Sequence, residues 1–264
     1  MERQSSSLRT VARLGLISKG IVYVLIGGLA FMAAFELGGK SSGTASKEGA
    51  FQTILDLPAG NIILGIIAAG LICYAVWRGV QAASAQEHGK AASAASRLRY
   101  ALSGLIYLSI AFLAAKMALD QPTAKGSSDQ DKVSEVMSQS YGSILLIIAA
   151  LVIAGIGIYQ LWYAFSEKYR KHINSSAIHD RGARVLISSG KLGYAARGLV
   201  WLIIAWMLGS AAVHYNAAEA GGTTKAFEFL EESAYGSYLL GALALGLICY
   251  GVFNFLRARY ENFD

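Results

Sequence analysis

Charge is scarce in this chain of 264 residues: Asp, Glu, Lys and Arg together make up 15%, against about 25% in an average soluble domain. Proline occurs twice and cysteine twice. Two cysteines exclude a disulfide framework and a four-cysteine metal site. So little charge excludes a disordered or nucleic-acid-coating chain, and the 29 glycines do not recur at every third residue, which excludes a collagen-like chain. No Ser–His–acid set and no pair of carboxylates falls inside an apolar segment, so catalysis is not expected and no cofactor or metal is called for.

What the chain has in abundance is apolar sequence. Hydrophobic residues make up 55%, and the mean hydropathy is +0.44. Six stretches approach the 20 or so apolar residues that a transmembrane helix needs: approximately 14–37, 59–82, 98–119, 141–165, 192–213 and 236–256. None alternates with period two, which argues against a β-barrel. Helices satisfy their own backbone groups in hydrocarbon. The first stretch is too long for the core of a signal peptide, and later ones copy it, so it is expected to be retained.

The stretches repeat in pairs. Ser18-Lys19-Gly20-Ile21-Val22-Tyr23 aligns with Leu102-Ser103-Gly104-Leu105-Ile106-Tyr107 and with Ala196-Arg197-Gly198-Leu199-Val200-Trp201. Gly70-Leu71-Ile72-Cys73-Tyr74 recurs as Gly246-Leu247-Ile248-Cys249-Tyr250 and more loosely as Gly155-Ile156-Gly157-Ile158-Tyr159. The unit is a two-helix hairpin present three times, about residues 9–83, 94–166 and 187–260 of a single membrane domain spanning 1–264. Two spans per unit give every copy the same orientation, with an axis along the membrane normal. The fold class read from this is all-α: six transmembrane helices, as three tandem two-helix repeats, in a pseudo-threefold bundle.

On the runs Leu192–Trp201 and Tyr235–Gly251, the sequence resembles a bacterial integral membrane family of unknown function. Its domain, a pair of transmembrane helices, occurs three times per chain. The second repeat departs from the pattern at Arg99 and Ser103, where the others carry Gly15 and Lys19 or Gly193 and Arg197. The resemblance implies a fold and an envelope location, with no activity attached.

Seventeen of the 23 Lys and Arg residues lie in the N-terminus, the 78–99 and 167–197 connectors and the C-terminus, and six in the three opposite loops; acidic residues are distributed six to eleven. The positive-inside rule then predicts an inner (cytoplasmic) membrane protein with both termini in the cytoplasm. The basic balance reads as topology and attraction to anionic lipid; membrane lipid is the expected partner and nucleic acid is not. A membrane-protein partner and a second copy of the chain both stay open. In the opposite loops Phe51 and Ile54, Val133 and Val136, and Phe227 and Leu230 are each three residues apart, and Gly60, Gly142 and Gly236 follow nine residues after the first of each pair. That spacing predicts a short amphipathic helix in the interface, then a glycine turn. The segments 84–96 and 167–184 read as solvated connectors.

Two groups of residues are candidates for function. Lys19, Ser103 and Arg197 are equivalent, with Tyr23, Tyr107 and Trp201 one turn later and Tyr74, Tyr159 and Tyr250 on the partner helices. Charges inside a membrane are candidate sites, but so near a span's end their long side chains are expected to snorkel toward the headgroups. The aromatic groups are expected to bond between helices, with a substrate-lining ring as the second reading. Glu36, Asp120 and His214 each lie sixteen residues beyond Gly20, Gly104 and Gly198. They are either an outer polar ring that concentrates cations or polar residues that end their helices, the latter preferred. Cys73 and Cys249 read as small core side chains. Function is open between permeation of an ion or small polar solute and a structural or accessory role that binds lipid or a larger membrane complex.

Overall fold

The computed structural model describes residues 6–39, 42–84, 90–119, 129–167 and 180–261. Among these the regular structure is helical. Six long helices are α1 (Ser6–Ala34), α3 (Gly60–Ser84), α4 (Lys90–Ala118), α6 (Gly142–Phe165), α7 (Asp180–His214) and α9 (Gly236–Tyr260). Each is long and apolar enough to cross a membrane. Three helices of nine residues, α2 (Lys47–Leu55), α5 (Asp129–Met137) and α8 (Thr223–Glu231), precede the second long helix of each repeat. The expected amphipathic helices and glycine entries are therefore present: α3, α6 and α9 open on Gly60, Gly142 and Gly236. A Cβ at any of these three would collide with the backbone of the short helix before it.

The short helices do more than lie in an interface. Phe51 and Phe227 are fully buried and Ile54 nearly so, so α2 and α8 are pinned into the end of the bundle where α1 and α7 finish. Ser46 caps α2, its hydroxyl accepting from the Gly49 amide at 2.9 Å, which satisfies one of the helix's unbonded donors. In the second repeat, Val133 and Val136 of α5 are only half-buried.

The connectors between repeats are shorter than their polarity suggests, because α4 begins at Lys90 and α7 at Asp180. The Ala-rich run from Ala91 to Ala95 has high helix propensity, and extending an existing helix costs far less than nucleating one.

The long helices form a pseudo-threefold ring. Each repeat's second long helix packs along the first long helix of the next: α3 on α4, α6 on α7, and α9 back on α1. Without a hydrophobic force between helices in lipid, small residues that let backbones approach supply the contact. A Cβ on Gly20 would lie 3.0 Å from the Gly251 carbonyl oxygen, one on Gly198 3.0 Å from that of Gly157, and one on Gly104 3.3 Å from that of Ala75. Ala111, two turns beyond Gly104, and Ala34 and Ala212, four turns beyond Gly20 and Gly198, are likewise buried.

Within the repeats the symmetry breaks. In the first hairpin α1 packs on α3, and in the third α7 packs on α9, but α4 and α6 of the second do not pack along their lengths. A Cβ on Gly15 would stand 2.6 Å from the Tyr74 Cα, and one on Gly193 2.6 Å from the Tyr250 Cα. Arg99 occupies that position in the second repeat. Gly70 sits against Ser18 and Gly246 against Ala196, whereas the equivalent Gly155 has open space beside it, opposite Leu102 rather than a small residue. A guanidinium side chain and a leucine thus stand where two glycine-tight crossings occur elsewhere, and the ring has one open seam.

Candidate functional site

The end of the bundle that carries both chain termini contains a layer of cations and tyrosines. Lys19 and Arg197 come from equivalent turns of α1 and α7; Tyr74 and Tyr250 come from equivalent turns of α3 and α9. Instead of snorkelling outward, Lys19 turns in: it is 3% exposed. Its Nζ donates to the Tyr74 hydroxyl at 3.1 Å and lies 4.7, 4.8 and 5.3 Å from the ring centres of Tyr74, Tyr107 and Tyr250. Arg197 also turns in. Its Nη1 donates to the Tyr250 hydroxyl, and its guanidinium carbon stands 4.5 Å from the Tyr250 ring and 5.2 Å from the Tyr23 ring. Snorkelling fails here because a neighbouring helix offers each charge an aromatic face and a phenol oxygen within reach, and desolvated cation–π contacts are worth about 2 kcal/mol.

The layer extends outward by alternation. Arg78, one turn after Tyr74, donates from Nε and Nη2 to the same Tyr74 hydroxyl, at 2.9 and 2.6 Å, and from Nη1 to Gln81 Oε1 at 2.7 Å. The Tyr100 ring lies 5.3 Å from the Arg78 guanidinium and 5.0 Å from that of Arg99. Arg99 donates to the Tyr159 hydroxyl at 3.0 Å, which is how it bridges the open seam between α4 and α6. The order is Arg197, Tyr250, Lys19, Tyr74, Arg78, Tyr100, Arg99, Tyr159, running from the bundle interior to an exposed Arg99. Edge-to-face tyrosine pairs hold it: Tyr23 on Tyr250 at 4.7 Å and Tyr74 on Tyr107 at 4.6 Å.

Charge compensation in the layer is one-sided. Arg257 is paired with Glu261 through two bonds of 2.6 Å. Among the described residues, Lys19, Arg78, Arg99 and Arg197 meet phenols, rings and Gln81, and no carboxylate. Three N–H donors converge on the single Tyr74 oxygen, which has two lone pairs. The same end also holds Asn254, fully buried, whose Nδ2 donates to the Tyr250 carbonyl at 2.6 Å while its Oδ1 has no partner.

Of the other candidates at this end, Ser103 and Trp201 are half-buried and take no part in the network. Arg78 and Tyr100 belong to neither candidate group of the sequence; the signal for Arg78 is its place one turn after Tyr74, where side chains meet. Cys73 and Cys249 are free and half-buried.

At the opposite end, Glu36 follows the last turn of α1 in the left-handed region, with φ at 53°, and is exposed. Asp120 lies outside the described residues. His214 closes α7 and faces Glu219 of its own repeat, Nδ1 to Oε2 at 3.0 Å. The Ser210 hydroxyl donates to the same carboxylate at 2.5 Å. Bonds from Ser210 and then His214 hold the Glu219 carboxyl below its usual pKa. The structure therefore gathers His214 with Ser210 and Glu219, and does not bring it to Glu36. The connector histidines His88, His172 and His179 lie outside the described residues.

Six apolar helices, arranged as three tandem hairpins around one axis, define an all-helical multi-pass membrane protein. Within that class the chain belongs to the DUF1206 family, a domain of unknown function that matches it three times, over residues 14–85, 98–167 and 192–261. It is similar to the uncharacterized protein YxxB of Bacillus subtilis (strain 168), with 28% identity over 257 residues covering 97% of this chain and 92% of that protein. No solved structure matches the chain.

Proposed function

We propose that this is a non-conducting, non-enzymatic accessory protein of the bacterial cytoplasmic membrane, with both termini in the cytoplasm and membrane lipid as its immediate partner. The observation that carries the reading is where buried polarity lies. Ser18, Lys19, Gln160, Ser189, Asn254 and Glu261 are the buried polar side chains among the described residues, and all belong to the terminus-bearing end. Deeper in the bundle the buried residues are apolar, such as Ile26, Leu64, Ile67, Ile110, Leu240 and Leu243, and Phe51 and Phe227 fill the far end. A permeation path needs polar groups at successive depths; this distribution favours a packed bundle with one polar layer. The charge asymmetry of the connectors supports the orientation.

Two measurements test it. Purified full-length protein in liposomes is expected to pass potassium, sodium and chloride no faster than protein-free vesicles; flux that rises with protein content would overturn the non-conducting reading. In a Cys73→Ser/Cys249→Ser background, Gln52→Cys and Ser233→Cys are expected to react with an impermeant maleimide in intact spheroplasts, and Arg184→Cys only after lysis. The opposite pattern would invert the topology.

A further inference from the structure

We propose that the open seam of the second repeat is a binding site for one anionic phospholipid, its phosphate held by Arg99 and Arg78 and an acyl chain lying between α4 and α6. The proposal builds on the lipid-partnered reading above and names the lipid class and the site. Three independent observations converge on it.

The first is the seam itself. α4 and α6 do not pack along their lengths, Gly155 has open space where Gly70 and Gly246 are filled, and Leu102 opposite it is 49% exposed. A cleft between two membrane-spanning helices opens sideways into hydrocarbon, and apolar walls accept an acyl chain.

The second is charge. Four cations run from the interior to the rim of this seam, and none meets a carboxylate among the described residues. A cation removed from water without a counter-ion is costly, by several kcal/mol even after relaxation, and ring faces return only part of that. Arg78 and Arg99, joined through Tyr100, are the outer members and present planar donor forks suited to phosphate oxygens. More donors than acceptors crowd the layer, with three on the Tyr74 oxygen alone. A phosphodiester supplies the missing acceptors.

The third is position. Arg99 is exposed and lies three residues into the apolar segment Ser96–Ala118, at the depth where a chain crossing the bilayer meets lipid phosphates. The equivalent positions of the other repeats are Gly15 and Gly193, pressed against Tyr74 and Tyr250, so only the second repeat has both the charge and the opening. A free anion would use the charge but has no use for the cleft, which is why the lipid is the occupant.

The test is a titration of the purified full-length protein, in a neutral detergent, with phosphatidylglycerol, followed by native mass spectrometry. One tightly held lipid per chain is expected, with phosphatidylcholine bound at least about tenfold more weakly, because it offers the same phosphodiester but brings a choline cation up against Arg78 and Arg99. Arg78→Gln/Arg99→Gln is expected to weaken phosphatidylglycerol by about tenfold or more, and Lys116→Gln, at the far end of α4, to leave it unchanged. Gly155→Leu fills the open space and touches none of the cations. It is expected to weaken the lipid similarly while the thermal midpoint holds, which separates loss of binding from loss of fold. Displacement of the lipid by glycerol phosphate at comparable concentration would assign the layer to free anions and overturn the lipid site. So would unchanged affinity in both variants. Either failure, with vesicles still impermeable, leaves the non-conducting reading standing; ion flux with lipid binding intact removes that reading and leaves the site.

Discussion

The second repeat and its two siblings share a hairpin plan, a glycine at the inter-repeat crossing and an amphipathic outer helix, yet only the siblings close. In the first and third hairpins a glycine backbone lies against the Cα of a tyrosine on the partner helix; in the second an arginine reaches across to the tyrosine hydroxyl instead. Arg99 and Leu102 stand where the siblings have the small residues Gly15 and Ser18 or Gly193 and Ala196, while the contacts α3 on α4 and α6 on α7 keep both helices in the ring. Inter-repeat packing therefore carries the pseudo-threefold architecture, and intra-repeat packing is free to vary. The repeat released from packing is the one whose tyrosine-bound cation, Arg99, is exposed.

The largest expected effect comes from forcing a closed hairpin to imitate the open one. Gly193→Arg places a long side chain into the Tyr250 backbone and is expected to cost about 3 kcal/mol or more, as severe overpacking. The reverse change, Arg99→Gly, removes no packed contact of that kind and is expected to cost under about 1 kcal/mol. Thermal unfolding in detergent compares them, and similar losses in the two variants would break the distinction between repeats.

A smaller effect concerns the neutral member of the charged trio. Ser103 stands in the second repeat where the others have Lys19 and Arg197. Because Lys19 is held by phenols and rings rather than a carboxylate, Lys19→Met strands no opposite charge. It is expected to leave stability within about 1 kcal/mol of the parent, or to raise it, as replacing a buried charge with a packed apolar chain does elsewhere. A stability lowered by several kcal/mol would show that the ammonium is bound by more than the tyrosines.

The smallest effect is at the end of the bundle away from the cation–tyrosine layer, where α5 of the second repeat leans on the turn Ala217–Glu219 of the third, Gln130 donating to the Ala218 carbonyl at 3.3 Å. The Glu219 carboxyl has a lowered pKa, first through the Ser210 hydroxyl and then through His214. Its contribution is therefore present above the ordinary carboxylate range and is lost as pH falls through the depressed value. Protection of the 216–219 amides, taken as the exchange rate relative to the intrinsic rate at each pH, is expected to fall on acidification in the parent and to be low and independent of pH in Glu219→Gln. An unchanged acid response in that variant would assign the clamp elsewhere.

Much of this architecture is legible in residue patterns. Six apolar runs, the recurrence of Gly20, Gly104 and Gly198, and paired apolar residues ahead of Gly60, Gly142 and Gly236 locate the spans, the repeats and the short outer helices, because each is a local or periodic property. Arg99 is visible as a departure from the repeat. Its consequence is not, since that requires knowing that Gly15 and Gly193 face a tyrosine backbone. The inward turn of Lys19 and Arg197 is hidden for the same reason: position near a span's end points to the headgroups, and only the placement of Tyr74 and Tyr250 on neighbouring helices reverses it. Glu219 joins His214 through a chain turn that no spacing rule specifies.

The most direct test of the open seam is a comparison of three single alanine substitutions at equivalent glycines, read as thermal midpoints in the same detergent. Gly70→Ala and Gly246→Ala place a methyl group against Ser18 and Ala196 and are expected to destabilise by about 1–3 kcal/mol. Gly155→Ala meets open space and is expected to hold the midpoint or raise it, by up to about 1 kcal/mol from helix propensity. A loss at Gly155 equal to those at Gly70 and Gly246 would mean that the second hairpin is closed like the others, and would contradict the account.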